Sequence, residues 1–182
     1  MPTNSFEALA RACRLRWKTN AVNFIMPFSL LSEHTMPVAT VRKSMLVLHR
    51  AEDMFRLVDE VEHYPDFLPW YGKTEIISRS DSELQARLHI DYMGLSQSFA
   101  TRNHNTPPHE IRMNLLEGPF KTLEGHWRFL PVGDDACQVE FVLRYEAVGL
   151  LARLISPVFG VICAKLVEAF VKEADKRHAG RN

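Results

Sequence analysis

The sequence has little cysteine, no excess of either charge and no long apolar run. Its 182 residues include three cysteines, Cys13, Cys137 and Cys163, whose odd number and wide spacing give neither a disulfide framework nor a zinc pattern. A reducing compartment suits such a chain. The longest uncharged stretch of the C-terminal half, residues 154–164, is shorter than the roughly 20 residues that cross a bilayer. We therefore expect a soluble protein.

The balance of charge restricts the classes of partner. The chain has 22 Lys and Arg residues and 22 Asp and Glu residues. Because proteins that bind nucleic acid through their overall charge are basic, DNA is not an expected partner. Apolar residues make up 46% of the chain and charged residues 24%, which is typical of a globular protein. The length fits one domain with a complete core.

The first 35 residues differ in composition from the remainder. They contain four basic residues against Glu7 and Glu33, together with a loose apolar run over residues 21–31. Such a segment resembles a transit peptide or a poor signal peptide, or it precedes a true first residue at Met36. We therefore divide the chain into an N-terminal extension, residues 1–35, that is mobile or not translated, and a folded domain, residues 36–178.

The folded domain begins with a strand and two short helical segments. Residues 38–48 are mostly apolar and β-branched, which predicts a strand. Residues 51–61 place Met54, Leu57 and Val61 on one helical stripe. Residues 63–70 contain two prolines, so we expect only a short helical turn there.

The middle of the chain alternates between apolar and polar residues. Strict alternation over residues 83–92, and again within 110–115, 123–129 and 137–146, predicts half-buried antiparallel strands. Turn residues such as Gly118-Pro119 separate them. We expect about six strands after the short helices, arranged as an antiparallel meander.

The last 30 residues change to helical spacing. Val158, Ile162, Leu166 and Phe170 recur on one stripe, and Pro157 suits a first turn, so we expect the main helix to start near Ser156 after a turn at residues 150–154. The predicted fold class is α+β: a curved antiparallel sheet of about seven strands wraps around a long C-terminal helix, with two short helices after the first strand. A sheet that grips one helix can leave a cavity between them.

The residue patterns do not predict a catalytic or metal site. The eight histidines include no His pair at i, i+4 spacing with a glutamate, and no Gly-x-Ser-x-Gly motif is present. Asp91 and Glu124 are considered as an acid–base pair, but both lie on polar strand faces, which makes them poor candidates for catalysis. Cys137 and Cys163 lie among apolar residues and are expected in the core. We therefore predict a non-enzymatic protein without cofactor.

Three segments resemble a known family. They are residues 61–70 (VEHYPDFLPW), 101–103 (TRN) and 117–129 (EGPFKTLEGHWRF). With the order of elements, they resemble the coenzyme Q-binding and ribosome association toxin family of START-like, helix-grip proteins, also labelled polyketide cyclase or lipid transport proteins. The resemblance covers about residues 36–177. It implies that residues 36–178 form a START-like lipid-binding domain.

The resemblance implies two functions. The first is non-enzymatic binding of ubiquinone or a related isoprenoid lipid in support of respiration, with ubiquinone as the ligand and transient contact with a membrane surface. The alternative is a toxin that binds the large ribosomal subunit and blocks its joining with the small one. The implied location is cytoplasmic, peripheral to the inner membrane, or mitochondrial in a eukaryote. A cyclase activity gains no support from the residues.

A set of mostly aromatic residues is the predicted ligand site. Each of them alone fits a plain core position, and the resemblance supplies the argument for a shared cavity. Binding would come mainly from burial of apolar area. Tyr92, Arg102 and Tyr145 are candidates for orienting a quinone head. The predicted ligand-binding residues are Tyr92, Phe120, Trp127, Phe129, Phe141, Tyr145, Phe159, Ile162 and Phe170.

Two surface features accompany these functions. Ribosome binding would need a local basic patch, for which the sequence offers Arg42, Lys43, Arg102 and Arg112. Membrane contact would suit an apolar lip within residues 150–161, although the pattern favours ordinary burial of that segment.

Overall fold

The structure of the chain, a computed structural model, describes residues 38–92, 94–147 and 151–179. For Leu95 and for residues 151–157 it describes the backbone alone. The predicted extension over residues 1–35 lies outside the described residues.

Seven strands and three α-helices make up the described part of the chain. The strands are β1 (Ala39–Val47), β2 (Tyr71–Arg79), β3 (Glu83–Tyr92), β4 (Leu95–Thr106), β5 (Glu110–Glu117), β6 (Phe120–Val132) and β7 (Ala136–Ala147). The helices are α1 (Ala51–Asp59), α2 (Tyr64–Phe67) and α3 (Leu151–Ala179), with a 3-10 turn at Val61–His63 between α1 and α2.

The strands form one antiparallel sheet in the order β1-β7-β6-β5-β4-β3-β2. Strands β2 to β7 follow one another as a meander, and β1 closes the far side by pairing with β7. Helix α3 packs against β1, β7 and α1. The predicted helix-grip fold, with a seven-stranded curved sheet, a long C-terminal helix and short helices after the first strand, is confirmed.

Alternation along the strands gives the sheet an inner and an outer face. In β3, Leu84, Ala86, Leu88 and Ile90 are buried, while the residues between them are partly exposed. Strand β7 repeats the pattern from Cys137 to Leu143. Because side chains alternate across a strand, the apolar set faces α3 and the charged set faces solvent.

The boundaries of two predicted helices are wrong. Helix α3 begins at Leu151 rather than near Ser156, so Pro157 lies in its second turn. A proline removes one backbone donor, but the packing of the buried residues farther along α3 stabilises the helix as a whole. Helix α1 ends at Asp59, and the chain tightens into the 3-10 turn before α2.

Strands β2 and β4 were not identified from the residue pattern. Strand β2 is an edge strand in which Ile76 and Ile77 are both substantially exposed, and its pairing with β3 shifts register twice. Register shifts break the alternation that reveals a strand. In β4, Thr101 and Asn103 occupy inner-face positions, so polarity there does not mark the outer face.

Large aromatic side chains fill the core at one end of the sheet. Trp127, Phe129, Phe141 and Phe170 are almost fully buried. The Trp127 ring stacks on Phe141 with centroids 4.2 Å apart and meets Phe170 edge-on at 5.4 Å. We give the name packed end to Phe129, Phe170 and Phe55, which meets Phe129 at 5.8 Å. Cys137 and Cys163 are buried and unbonded, as expected for core cysteines.

Candidate functional site

A small cavity lies between the inner face of the sheet and α3. Its volume is about 40 Å³, which is enough for one or two water molecules and far below the roughly 300–1,000 Å³ of a typical ligand pocket. The lining residues are Val61, Tyr64, Tyr71, Ala86, Leu88, Phe99, Thr101, Asn103, Met113, Leu123, Trp127, Phe141, Leu143, Phe159, Ile162, Cys163 and Leu166. No Asp, Glu, Lys or Arg is among them.

The few polar groups of the lining differ in their pairing. The Tyr64 hydroxyl donates a 2.6 Å hydrogen bond to the carbonyl oxygen of Val58. Asn103 is only 4% exposed, and its side-chain oxygen Oδ1 has no hydrogen-bond partner. An unpaired buried carbonyl oxygen is costly, because it has given up its hydrogen bonds to water without replacement.

Burial keeps the ionisable groups of the lining neutral. Desolvation raises the pKa of Tyr64 well above its ordinary value, with the neighbouring Tyr71 adding to the shift. Burial likewise raises the pKa of Tyr71 and brings the pKa of Cys163 to about 12. At neutral pH all three groups are therefore protonated and uncharged. The cavity suits a neutral, mostly apolar guest.

Four aromatic rings pack together at one end of the cavity, and two of them, Phe99 and Phe159, line it. The ring of Phe159 lies 4.9 Å from both Phe120 and Tyr145, and 6.0 Å from Phe99. Phe99 and Phe120 meet edge-on at 5.7 Å. We call this group of Phe99, Phe120, Tyr145 and Phe159 the aromatic cluster. It lies at the opposite end of the cavity from the packed end.

The Gly-Pro-Phe motif helps to build the aromatic cluster. Gly118 has φ +145°, a conformation that other L residues rarely adopt, and a Cβ there would lie 2.5 Å from Cβ of Phe99. Only glycine therefore allows the turn between β5 and β6 to lie against Phe99. Phe120 then begins β6 with its ring in the cluster.

The predicted ligand-binding residues are distributed over the whole inner face. Trp127, Phe141, Phe159 and Ile162 line the cavity. Phe120 and Tyr145 belong to the aromatic cluster behind it, Phe129 and Phe170 to the packed end, and Tyr92 is half-buried at the end of β3. Their role in ligand binding stays a prediction.

The polar residues of the cavity were missed in the sequence. Arg102, a predicted head-group contact, is on the outer face, where its Nε lies 3.6 Å from Glu83. Its neighbours Thr101 and Asn103 are buried and line the cavity instead. The strand alternation could have revealed this, because it puts the side chains of residues 101 and 103 on the face opposite that of residue 102. The assumption that polar residues on a strand face solvent does not hold for Thr101 and Asn103.

The outer face carries a second candidate site. An open groove of about 480 Å³ is lined by Arg42, Arg112, Arg144, His126 and Glu124, among others. In the described part of the chain, neither Arg42 nor Arg144 has an ion-pair partner. We call this the outer groove.

The outer groove corrects the predicted basic patch. Lys43 points to the inner side, where its ammonium lies 3.8 Å from Glu168 of α3, because neighbouring residues of β1 face opposite ways. Arg42 and Arg112 line the outer groove, and Arg102 lies on the same face on β4. The basic patch on this face includes Arg144, which the sequence prediction omitted, and does not include Lys43.

One carboxylate beside the outer groove has a perturbed pKa. His126 Nε2 donates to Oε2 of Glu110 at 2.9 Å, and Arg112 also pairs with Glu110. The hydrogen bond from His126, and then the contact with Arg112, hold the pKa of Glu110 below its ordinary value. Glu110 is therefore ionised at neutral pH and partly offsets the positive charge of the groove.

The described residues do not assemble the acid–base pair considered from the sequence. Asp91 lies on β3 and Glu124 on β6, and strands β4 and β5 separate them. Within the described ranges, no three His, Cys, Asp or Glu side chains are grouped to hold a metal ion. Among the described helices, none combines the length and the apolar character needed to cross a membrane.

Comparison with known proteins connects this architecture to one family. The model of the family described as polyketide cyclase / dehydrase and lipid transport matches residues 47–171. The Escherichia coli K12 protein named ribosome association toxin RatA is 37% identical over 153 residues, covering 84% of this chain and 96% of that protein. The Drosophila melanogaster mitochondrial coenzyme Q-binding protein COQ10 is 26% identical over 140 residues, covering 74% of this chain and 58% of that protein.

Solved structures share the fold. The 18 kDa protein CC1736 of Caulobacter crescentus superposes with a TM-score of 0.61 at 31% identity, covering 79% of this chain and 99% of that one. The Zhui aromatase/cyclase of Streptomyces sp. R1128 superposes with a TM-score of 0.70 at 19% identity, covering 78% and 96%. At that identity the enzyme shares the fold alone, so its activity does not carry over.

Proposed function

The chain belongs to the polyketide cyclase / dehydrase and lipid transport family, and from this premise we propose that it binds ubiquinone or a related isoprenoid in the cavity between sheet and α3. The observation that carries the proposal is the neutral lining, with one unpaired amide in an apolar wall. The similarity to a coenzyme Q-binding protein supports it. Binding would come mainly from burial of the apolar ligand, at about 25 cal/mol per Å².

The cavity must enlarge to hold such a ligand. At about 40 Å³ it is smaller than a quinone ring, so the lining has to move on binding. Two parts of the lining suit this movement. The first is Phe159 with the aromatic cluster around it, and the second is the unbranched side chain of Met113.

Binding without catalysis fits the chemistry of the lining. General acid–base catalysis needs a group whose pKa lies near the working pH. The tyrosine hydroxyls and the Cys163 thiol have pKa values raised by burial, and carboxylates and amines are missing from the lining. We propose that the protein sequesters its ligand reversibly, without a cofactor, and exchanges it during brief contact with a membrane surface from the cytoplasm.

The ligand proposal is tested by what the protein retains. Purified full-length protein would be analysed by native mass spectrometry, and bound lipid would be extracted with organic solvent and identified. We expect a lipid-sized mass increase and an isoprenoid quinone in the extract. Ile162→Trp, inside the cavity, should abolish retention, whereas Val161→Trp, on the exposed side of α3, should not. Protein without lipid that also takes up none from quinone-loaded vesicles would contradict the proposal.

A second candidate function is ribosome association, favoured by the outer groove. Arg42 and Arg144 present guanidinium groups without described carboxylate partners, which suits the phosphates of RNA. The first relative described above is named a ribosome association toxin.

Co-sedimentation with the large ribosomal subunit tests this second candidate. The double variant Arg42→Glu, Arg144→Glu should lose binding, and binding of the unchanged protein should fall steeply with salt. Lys43→Glu, which changes the charge by the same amount per site on the inner side, is the matched control. Binding that is insensitive to salt and to both arginines would contradict a role for the outer groove.

A further inference from the structure

Asn103 is the one residue of the cavity lining, within the described chain, whose buried side-chain polar atom has no partner. Asn105, two residues later, also has an unpaired oxygen, but its amide nitrogen donates to Asp59 at 2.7 Å and it does not line the cavity. The Asn103 oxygen is thus an acceptor enclosed with apolar groups. A polar guest in the cavity would remove this deficit.

The position of Asn103 sets the depth at which a guest would meet it. Phe99 and Asn103 lie on the same face of β4, four residues apart, so their Cα atoms are separated by about 13 Å along the strand. Phe99 belongs to the aromatic cluster, whereas Asn103 lies toward Trp127 and the packed end. Buried aromatic rings fill the packed end. A guest that reaches Asn103 therefore comes from the side of the aromatic cluster.

The neighbour of Asn103 can make room for a guest. Asn103 pairs with Met113 on β5, and Met113 pairs with Gly125 on β6. A Cβ at Gly125 would lie 2.2 Å from Cε of Met113, so the Met113 methyl occupies the space that Gly125 leaves open. Methionine changes rotamer easily. Movement of this one side chain would enlarge the cavity directly beside the Asn103 amide.

We infer that Asn103 recognises the oxygen-bearing head of the ligand, which enters head first and leaves its tail toward Phe159 and Phe99. A primary amide carries both an acceptor and donors, so it can accept from a quinol hydroxyl or donate to a quinone carbonyl. Both redox forms would therefore bind. This inference rests on the proposed lipid-binding function and adds the orientation and the selectivity of the ligand.

Paired probes test the recognition of the head. Decylubiquinone has an oxygen-rich ring on an alkyl tail, and decylbenzene has the same tail on a ring without oxygen. Asn103→Leu replaces the amide with an apolar group of similar size and should weaken decylubiquinone binding about tenfold. It should leave decylbenzene binding unchanged or strengthen it. Gln138→Leu also exchanges an amide for leucine, on the outer face of β7 and outside both the cavity and the outer groove, and is the matched control.

The outcomes separate this inference from the proposed function. If the unchanged protein binds neither probe, the lipid-binding function itself fails. If it binds both probes, and Asn103→Leu weakens the binding of both equally or of neither, then Asn103 does not recognise the head group and the inference is overturned. Asn103→Ala, which removes the amide without adding bulk, should show the same selective loss and guards against a steric effect of leucine.

Discussion

The packed end and the cavity end of the same sheet–helix interface differ in how they are filled. At the packed end, Phe129 and Phe170 are fully buried among other aromatic rings. At the cavity end, the space between β4 and α3 holds the polar residues Thr101 and Asn103 and an empty volume of about 40 Å³. Both ends use strands of one sheet and one continuous helix.

This difference separates stability from binding within one core. Tight aromatic packing at one end holds α3 on the sheet, since interiors packed at high density tolerate little change of volume. The other end has an unpaired Asn103 oxygen and the unbranched side chain of Met113, which contribute little to stability. A fold anchored at one end can open at the other without unfolding.

The largest effect should come from removing an anchor of the packed end. Phe129→Ala deletes a fully buried ring that contacts Phe55 and Trp127, and it should lower the free energy of unfolding by about 3–5 kcal/mol. Phe159→Ala should cost clearly less, because its ring lies in a wall that already borders empty space. Urea denaturation of both variants measures the contrast. Equal losses would mean that the cavity end is packed as tightly as the other end.

The sequence predicted those parts of the fold whose burial is regular. Strands β3 and β7 alternate strictly because each has one face on the core and one in solvent. Strand β2 is not predicted, because it is an edge strand and its two register shifts interrupt the alternation of buried and exposed side chains. Pro157 predicts a later start for α3 than the structure has, because the tertiary packing of a 29-residue helix outweighs this local preference.

The candidate site was predictable in composition but not in detail. The aromatic residues of the inner face follow from their positions on β6, β7 and α3. Asn103 does not follow from its polarity, because the sequence does not reveal that a polar side chain faces the core. Arg42 and Lys43 are adjacent on β1 and therefore point to opposite faces of the sheet. Only the register between β1 and β7 shows that Arg42, and not Lys43, lies on the same face as Arg144.

A smaller effect should come from filling the space beside Asn103. Gly125→Ala places a methyl group against Met113 and should cost about 1 kcal/mol, at the low end of overpacking because the contacting methyl can move. In a Met113→Ala background the same change should cost almost nothing. Thermal unfolding of the four proteins gives the coupling. An equal cost in both backgrounds would show that Met113 does not occupy the space over Gly125.

A still smaller change should follow from removing the unpaired amide. Asn103→Leu should leave stability unchanged or raise it by up to about 1 kcal/mol, because an unsatisfied buried polar group is replaced by an apolar one. The melting temperature of ligand-free protein measures this. A marked loss of stability would mean that Asn103 has a structural partner and belongs to the packed core.

The smallest effect is expected on the outer face of the sheet. The pKa of Glu110 is lowered by the hydrogen bond from His126 and by Arg112, so its ionised form stabilises the fold above its ordinary pKa of 4.5. This stabilisation is lost as the pH falls through the lowered value. Glu110→Gln should therefore cost less than about 1 kcal/mol at neutral pH, and the difference should vanish in acid. A difference that persists unchanged in acid would exclude the charge as its cause.

The most direct test of the account is a map of the site that a quinone occupies. Isotope-labelled protein would be titrated with decylubiquinone and followed through its backbone and side-chain amide resonances. We expect the largest shifts at the Asn103 side-chain amide, at Met113 and in the aromatic cluster, with the packed end around Phe129 unaffected. Shifts confined to the outer groove, or an Asn103 amide that does not respond at saturation, would contradict the account.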